Sequence, residues 1–184
     1  MDSFRPYRFS PINSKDELIK VIQHIHFACY ELCKNSLGTI LPNAGNVGVF
    51  CHYDDEFESL KLIRDTMAEP SENPELKYFT LLEPIVIEAQ GDIPETTYTH
   101  LYIRNPDPYR YQMGDIVFYL PENEYQNLRQ EMLSGKHIPG ARVFERPDLD
   151  MIELYNPDID ALGYVSTSTM SEKVRIKLSD ATKL

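Results

Sequence analysis

The chain has 184 residues, enough for one domain with a sizeable core or two half-domains that share one. Its net charge of −11, from 29 acids against 18 bases, opposes a general phosphate-backbone binder and an anionic membrane surface, both of which need clustered Lys and Arg. Apolar residues make up 42%, too many for a disordered chain. No apolar run approaches the roughly 20 residues needed to span a bilayer. The N-terminal residues Met1 to Pro6 lack the charged-then-apolar pattern of a secretion signal, and the three cysteines include no CxxC pair, so no disulfide framework is expected. A cytoplasmic protein without nucleic-acid or membrane partners is expected.

The first predicted element is a helix. Ser14-Lys15-Asp16-Glu17 reads as a capping box, and Leu18, Ile22, Ile25, Cys29 and Leu32 then form one apolar stripe that ends between Asn35 and Gly38. A strand follows at Val47 to Cys51, then a helix over about 54–68 with acids in its first turn. Two β-rich segments come next, Tyr78 to Ala89 and Thr96 to Arg104, the second stopped by Asn105-Pro106-Asp107-Pro108. The pattern then restarts with a strand at Asp115 to Leu120 and a helix from Pro121 to Leu133. Three further strands are expected at Ala141 to Arg146, Met151 to Tyr155 and Ala161 to Thr167. The tail from Ser168 is polar and is expected to be loosely held or docked as a final edge element.

An offset of 68 residues lays Val49 to Lys61 on Val117 to Arg129, with four of 13 positions identical and six conservative. A duplicated unit is the reading, with partial matching of any two strand–helix pairs as the alternative. The expected fold is α+β: two βαβββ-like modules forming a curved, mostly antiparallel sheet around a cleft, preceded by an N-terminal helix. The division is 1–45 for the helical extension, 46–107 for the first module, and 108–184 for the second module and tail.

This arrangement resembles the vicinal oxygen chelate superfamily of glyoxalase- and dioxygenase-like proteins. Asp115 to Glu122 looks like a module's first strand and Met151 to Pro157 like its closing strand. Within the superfamily the chain is similar to the YecM-like group, through its N-terminal helix and the segment Phe79 to Ile87. The resemblance implies metal ligands on each first and closing strand, at Asn46 (or Val47), Asp115, Arg104 and Glu153. No histidine stands at any of them, so no cofactor is expected, with a divalent ion at Asp115 and Glu153 as the lesser alternative.

Strand alternation puts Tyr98, His100, Tyr102 and Arg104 on one face, with Asp115, Val117, Tyr119, Met151, Glu153 and Tyr155 on the same side. The candidate ligand-binding residues are His100, Tyr102, Arg104, Asp115, Tyr119 and Glu153. An arginine there can clamp a carboxylate or phosphate, and a glutamate or histidine can accept a proton. The competing reading is a strand face paired within itself, Arg104 bridging to Asp115 or Glu153. In the ligand reading, Arg104 fills the space a metal takes in the superfamily.

Other motifs have plainer readings. His26, Cys29 and Cys33 share helical spacing but fit a core stripe better than a metal site. His52 reads as a surface histidine before a helix. Asp148-Leu149-Asp150 and Asp158-Ile159-Asp160 read as turns. Tyr109-Arg110-Tyr111 reads as a cleft lid. No Gly-rich phosphate loop, nucleophile elbow or HExxH is present. The function expected is binding of a small ligand, with anions among the candidates, between the modules without the usual metal centre. The alternatives are a metal-dependent lyase, isomerase or dioxygenase and a non-catalytic protein-interaction module. A monomer or weak homodimer is expected, because both modules lie in one chain.

Overall fold

The computed structural model describes residues 9–146 and 148–177. Met1 to Pro6 and the last seven residues of the tail, both read above, lie outside the described residues.

Helix α1 (Lys15–Leu37) forms where the capping residues and apolar stripe demand it. Ser14 is extended and its hydroxyl accepts from the Glu17 N–H at 3.2 Å. Glu17 returns the bond one residue earlier than a standard capping box, accepting from the Asn13 N–H at 2.6 Å. Leu18, Ile22, Ile25, Cys29 and Leu32 are all buried. Gly38, at a φ of 70°, ends the helix by donating to the Lys34 carbonyl, a conformation that suits a residue without a Cβ.

The strands are β1 (Asn43–Phe50), β2 (Phe79–Ile87), β3 (Thr96–Arg104), β4 (Gly114–Tyr119), β5 (Ala141–Arg146), β6 (Leu149–Leu154) and β7 (Leu162–Ser166). They make one mixed seven-stranded sheet in the order β2-β3-β1-β4-β7-β6-β5. Only β1–β3 and β4–β7 pair in parallel; the other four pairs are antiparallel. The remaining helices are α2 (Asp54–Met67), α3 (Glu122–Leu133) and α4 (Ser168–Lys173). The fold is α+β.

Each half repeats one plan: a strand, a helix, then strands that return so that the last lies parallel beside the first. α2 and α3 start at Asp54 and Glu122, 68 residues apart, which is the offset of the sequence alignment. The first half carries three strands and the second four. The halves meet at the antiparallel β1–β4 pair, where Gly48 lies opposite Asp115.

The two sheet faces carry two different clusters. Leu101, Ile103, Ile116, Phe118, Ile152 and Val165 face the main core with α1 and Leu60 of α2. Val117, Met151, Tyr78 and Val174 form a second, smaller cluster, with Tyr102 and Tyr164 against it. Alternation predicted this split for Tyr102, Val117 and Met151.

It failed for Tyr98. That residue is fully buried on the α1 side, its hydroxyl 2.7 Å from His26 Nδ1. Thr96 and Tyr98 therefore share a face with Leu101 and Ile103, so the alternation of β3 breaks between Tyr98 and Leu101. The ladders beside it are irregular at this level: β2 advances from Thr80 to Ile85 while β3 moves only from His100 to Tyr98.

The tail residues that are described do not extend the sheet edge. The Thr167 hydroxyl caps α4, accepting from the Met170 N–H, and α4 packs on β1 and β4. Beyond it, Ile176 forms a lone antiparallel bridge with Leu76. Asn46 donates to the Ser171 carbonyl at 2.7 Å and accepts from Arg175 Nε at 3.0 Å, tying this segment across the sheet.

His52 is buried, not a surface residue. Its N–H donates to Glu56, a buried carboxylate that also accepts from the Ile12 N–H and the Ser10 hydroxyl. Burial pushes the Glu56 carboxyl up, but these bonds and the His52 side chain together hold its pKa below the ordinary value. Cys29, Cys33 and Cys51 are free, buried thiols, and among the described residues no helix is long and apolar enough to cross a membrane.

Candidate functional site

A cavity of about 430 Å³ opens on the face opposite α1. Its walls come from β1, β3, β4, β5, β6 and β7, closed by Lys77, Tyr78 and Val174 from outside the sheet. Its floor is the smaller apolar cluster.

Four of the six candidate residues line it: Tyr102, Arg104, Asp115 and Glu153. His100 does not. Its ring lies between the hydroxyls of Thr99 and Thr80, at 2.8 and 3.4 Å, and burial followed by the Arg175 charge lowers its pKa. The α4–Arg175 segment lies over Asn46, the residue paired with His100 in the β1–β3 ladder. Tyr119, at the far end of β4, is also outside the cavity.

Sequence reasoning missed most of the cations. Lys77, Arg110, Arg142 and Arg146 line the cavity with Arg104, against the two acids Asp115 and Glu153. The signal for Arg142 and Arg146 was present in the alternation Arg142-Phe144-Arg146 on β5. Lys77 precedes a strand, and no periodicity marked it. Arg110 lies in the segment read as a lid, and it faces the cavity while Tyr109 is 95% exposed.

The expected pairing of Arg104 with an acid is not made. Glu153 binds Arg142, with Nη2 at 2.6 Å and Nε at 2.8 Å, and accepts from the Tyr164 hydroxyl at 3.1 Å. The reason is register: Arg142 lies directly opposite Glu153 in the β5–β6 ladder. Between β3 and β6 stand β1, β4 and β7, so the strands that carry Arg104 and Glu153 are four places apart in the sheet. Arg104 instead stacks on Phe50, its guanidinium carbon 4.8 Å from the ring centroid.

Asp115 is the unusual acid. It is buried, and Oδ1 has no hydrogen-bond partner among the described residues. Burial raises its pKa from 3.8 to about 6, partly offset by the charges of Lys77, Arg104 and Arg110 and by the Gly48 N–H. The Lys77 ammonium sits 4.8 Å from the Tyr102 ring centroid. Burial lowers its pKa, Asp115 raises it, and Arg104 and Arg146 lower it further.

Three of the four positions at which the resemblance implies metal ligands do not fit a divalent ion. Asn46 is engaged by Ser171 and Arg175, Arg104 is a cation, and Glu153 is held by Arg142 and Tyr164. Among the described residues no three His, Cys, Asp or Glu side chains are grouped to hold a metal. His26, Cys29 and Cys33 are core residues, bound to Tyr98 and to the Leu162 and Thr39 carbonyls. Asp150 accepts from Tyr125 and Arg129, and Asp160 lies 2.5 Å from His24.

No protein-family model matches the sequence, and no curated protein matches it. Among solved structures the protein is similar to "Structural Genomics, Protein EC4020", at 17% identity and a TM-score of 0.58, over 91% of this chain and 96% of that one. A methylmalonyl-CoA epimerase variant from Streptomyces coelicolor, in complex with 2-nitronate-propionyl-CoA, matches at 15% identity and a TM-score of 0.29, over 68% of this chain and 98% of that one. A glyoxalase/bleomycin resistance protein/dioxygenase superfamily member from Vibrio splendidus 12B01 matches at 11% identity and a TM-score of 0.28, over 65% and 93%. The likeness to the first is one of fold, and the structural neighbours include the other two.

Proposed function

We propose that the protein binds a small anionic ligand in the cavity between its halves, without the metal centre of the vicinal oxygen chelate superfamily. One observation carries this reading. Lys77, Arg104 and Arg146 face a shared cavity, and none has a hydrogen-bond or ion-pair partner for its side-chain charge among the described residues, in a chain of net charge −11. An acidic protein has carboxylates to spare for such cations. Converging them unpaired, one of them desolvated, is costly unless an anion completes the site. The apolar floor and the volume suit a small organic molecule.

The chain is on this reading a divergent member of that superfamily near its YecM-like group. The β4-β7-β6-β5 order, with first and last strands parallel, supports the βαβββ plan. Two halves in one chain close the cavity without a partner, which favours a monomer or weak dimer.

The test is calorimetric titration with inorganic phosphate and benzoate, on the wild type and on Arg104→Met. Saturable binding that weakens about tenfold in the variant is expected, consistent with one charge-assisted contact. Absence of saturable binding by these two anions and by the ring dianions phenyl phosphate and phthalate, or equal binding by wild type and variant, overturns the reading. Metal analysis of untagged protein that finds one tightly held divalent ion per chain also overturns it.

A further inference from the structure

We propose that the cavity selects a dianion carried on an apolar ring, its two charges set among Lys77, Arg104 and Arg146. This deepens the anionic-ligand reading and rests on it. Arg142 is committed to Glu153, and Arg110 Nε lies 3.7 Å from Asp107. That leaves three cations against the single carboxylate of Asp115, an excess of two positive charges at neutral pH. The three are not scattered: all line one cavity, and the charges of Arg104 and Arg146 both act on Lys77. Mutual repulsion of this kind is relieved most by two negative charges held close together.

The rest of the cavity asks for an apolar body. Val117, Met151 and Val174 form its floor, flanked by the rings of Tyr102 and Tyr164. A flat ring laid there covers apolar surface and meets aromatic faces.

Phosphoryl and dicarboxylate groups both supply paired charge, and the experiment separates them. Calorimetry at about pH 8 would compare phenyl phosphate and phthalate, both dianions on a ring, with benzoate and with inorganic phosphate. At least one of the two ring dianions is expected to bind about tenfold or more tightly than either benzoate or inorganic phosphate. Whichever ring dianion binds tighter identifies the charged group. Arg146→Met, at an exposed position that leaves folding intact, is expected to reduce that advantage to the benzoate level; Lys77→Met is the second variant. If benzoate equals both ring dianions, the site takes one charge and the inference fails while the anion reading stands. If inorganic phosphate equals phenyl phosphate and exceeds phthalate, the ring contributes nothing and the inference fails. If no anion in the set binds, the anion reading fails with it.

Discussion

The Asp115 carboxylate occupies the space in which Gly48 would carry a side chain. The two residues lie opposite each other in the β1–β4 ladder, and a Cβ built on Gly48 would collide with Asp115 Oδ1. The glycine is thus required by close approach across two strands, not by a turn.

Gly48→Ala is expected to destabilise the fold by about 1–3 kcal/mol, the usual range for overpacking. In an Asp115→Ala background the same change should cost much less, because the colliding group is gone. Urea unfolding of the four proteins measures this cycle. Additive effects would show that the collision is relieved elsewhere.

Asp115 should leave a signature in stability against pH. Its folded pKa is raised to about 6 from 3.8, chiefly by burial. Between those values the folded protein keeps a proton that the unfolded chain has released. Stability from this group therefore falls as pH rises through that window and stays lower above it, by about 3 kcal/mol at most. Asp115→Asn removes the effect. The variant's stability relative to wild type should rise by about 2–3 kcal/mol from about pH 4 to about pH 8, read by urea titration. A flat difference across that range would place the carboxylate in good contact with compensating charge.

Arg104 and Arg142 should separate in their effects on stability. Glu153 is only 5% exposed, and Arg142→Met would leave it with the Tyr164 hydroxyl as its remaining partner among the described residues. Because the Arg142 side chain is 61% exposed, the cost is discounted to about 1–2 kcal/mol. Arg104→Met breaks no ion pair among the described residues and should cost about 0.5 kcal/mol, mostly lost stacking on Phe50. Chemical denaturation of both variants checks the order. A larger loss for Arg104→Met than for Arg142→Met would overturn this order.

Much of the architecture was legible in the chain because it depends on local rules. Capping at Ser14, the stripe on α1 and the punctuation by prolines after Arg104 all act within or between neighbouring segments. The limits of β3 and β5 follow from the same patterns, and alternation was enough to set Tyr102, Asp115 and Glu153 on one sheet face.

The composition of the site was decided by relations that no local pattern encodes. The β5–β6 register gave Glu153 to Arg142, and three intervening strands kept Arg104 from it. A break in the alternation of β3 between Tyr98 and Leu101 turned Tyr98 into the core, since a shift of one residue reverses a period of two. The docking of α4 and Arg175 over Asn46 cut His100 off from the cavity, and a strand-to-coil step brought Lys77 in. Side-chain identity fixes which chemistry a residue can do. Which charges meet depends on distances across the sheet, and those exist only once the strands are ordered.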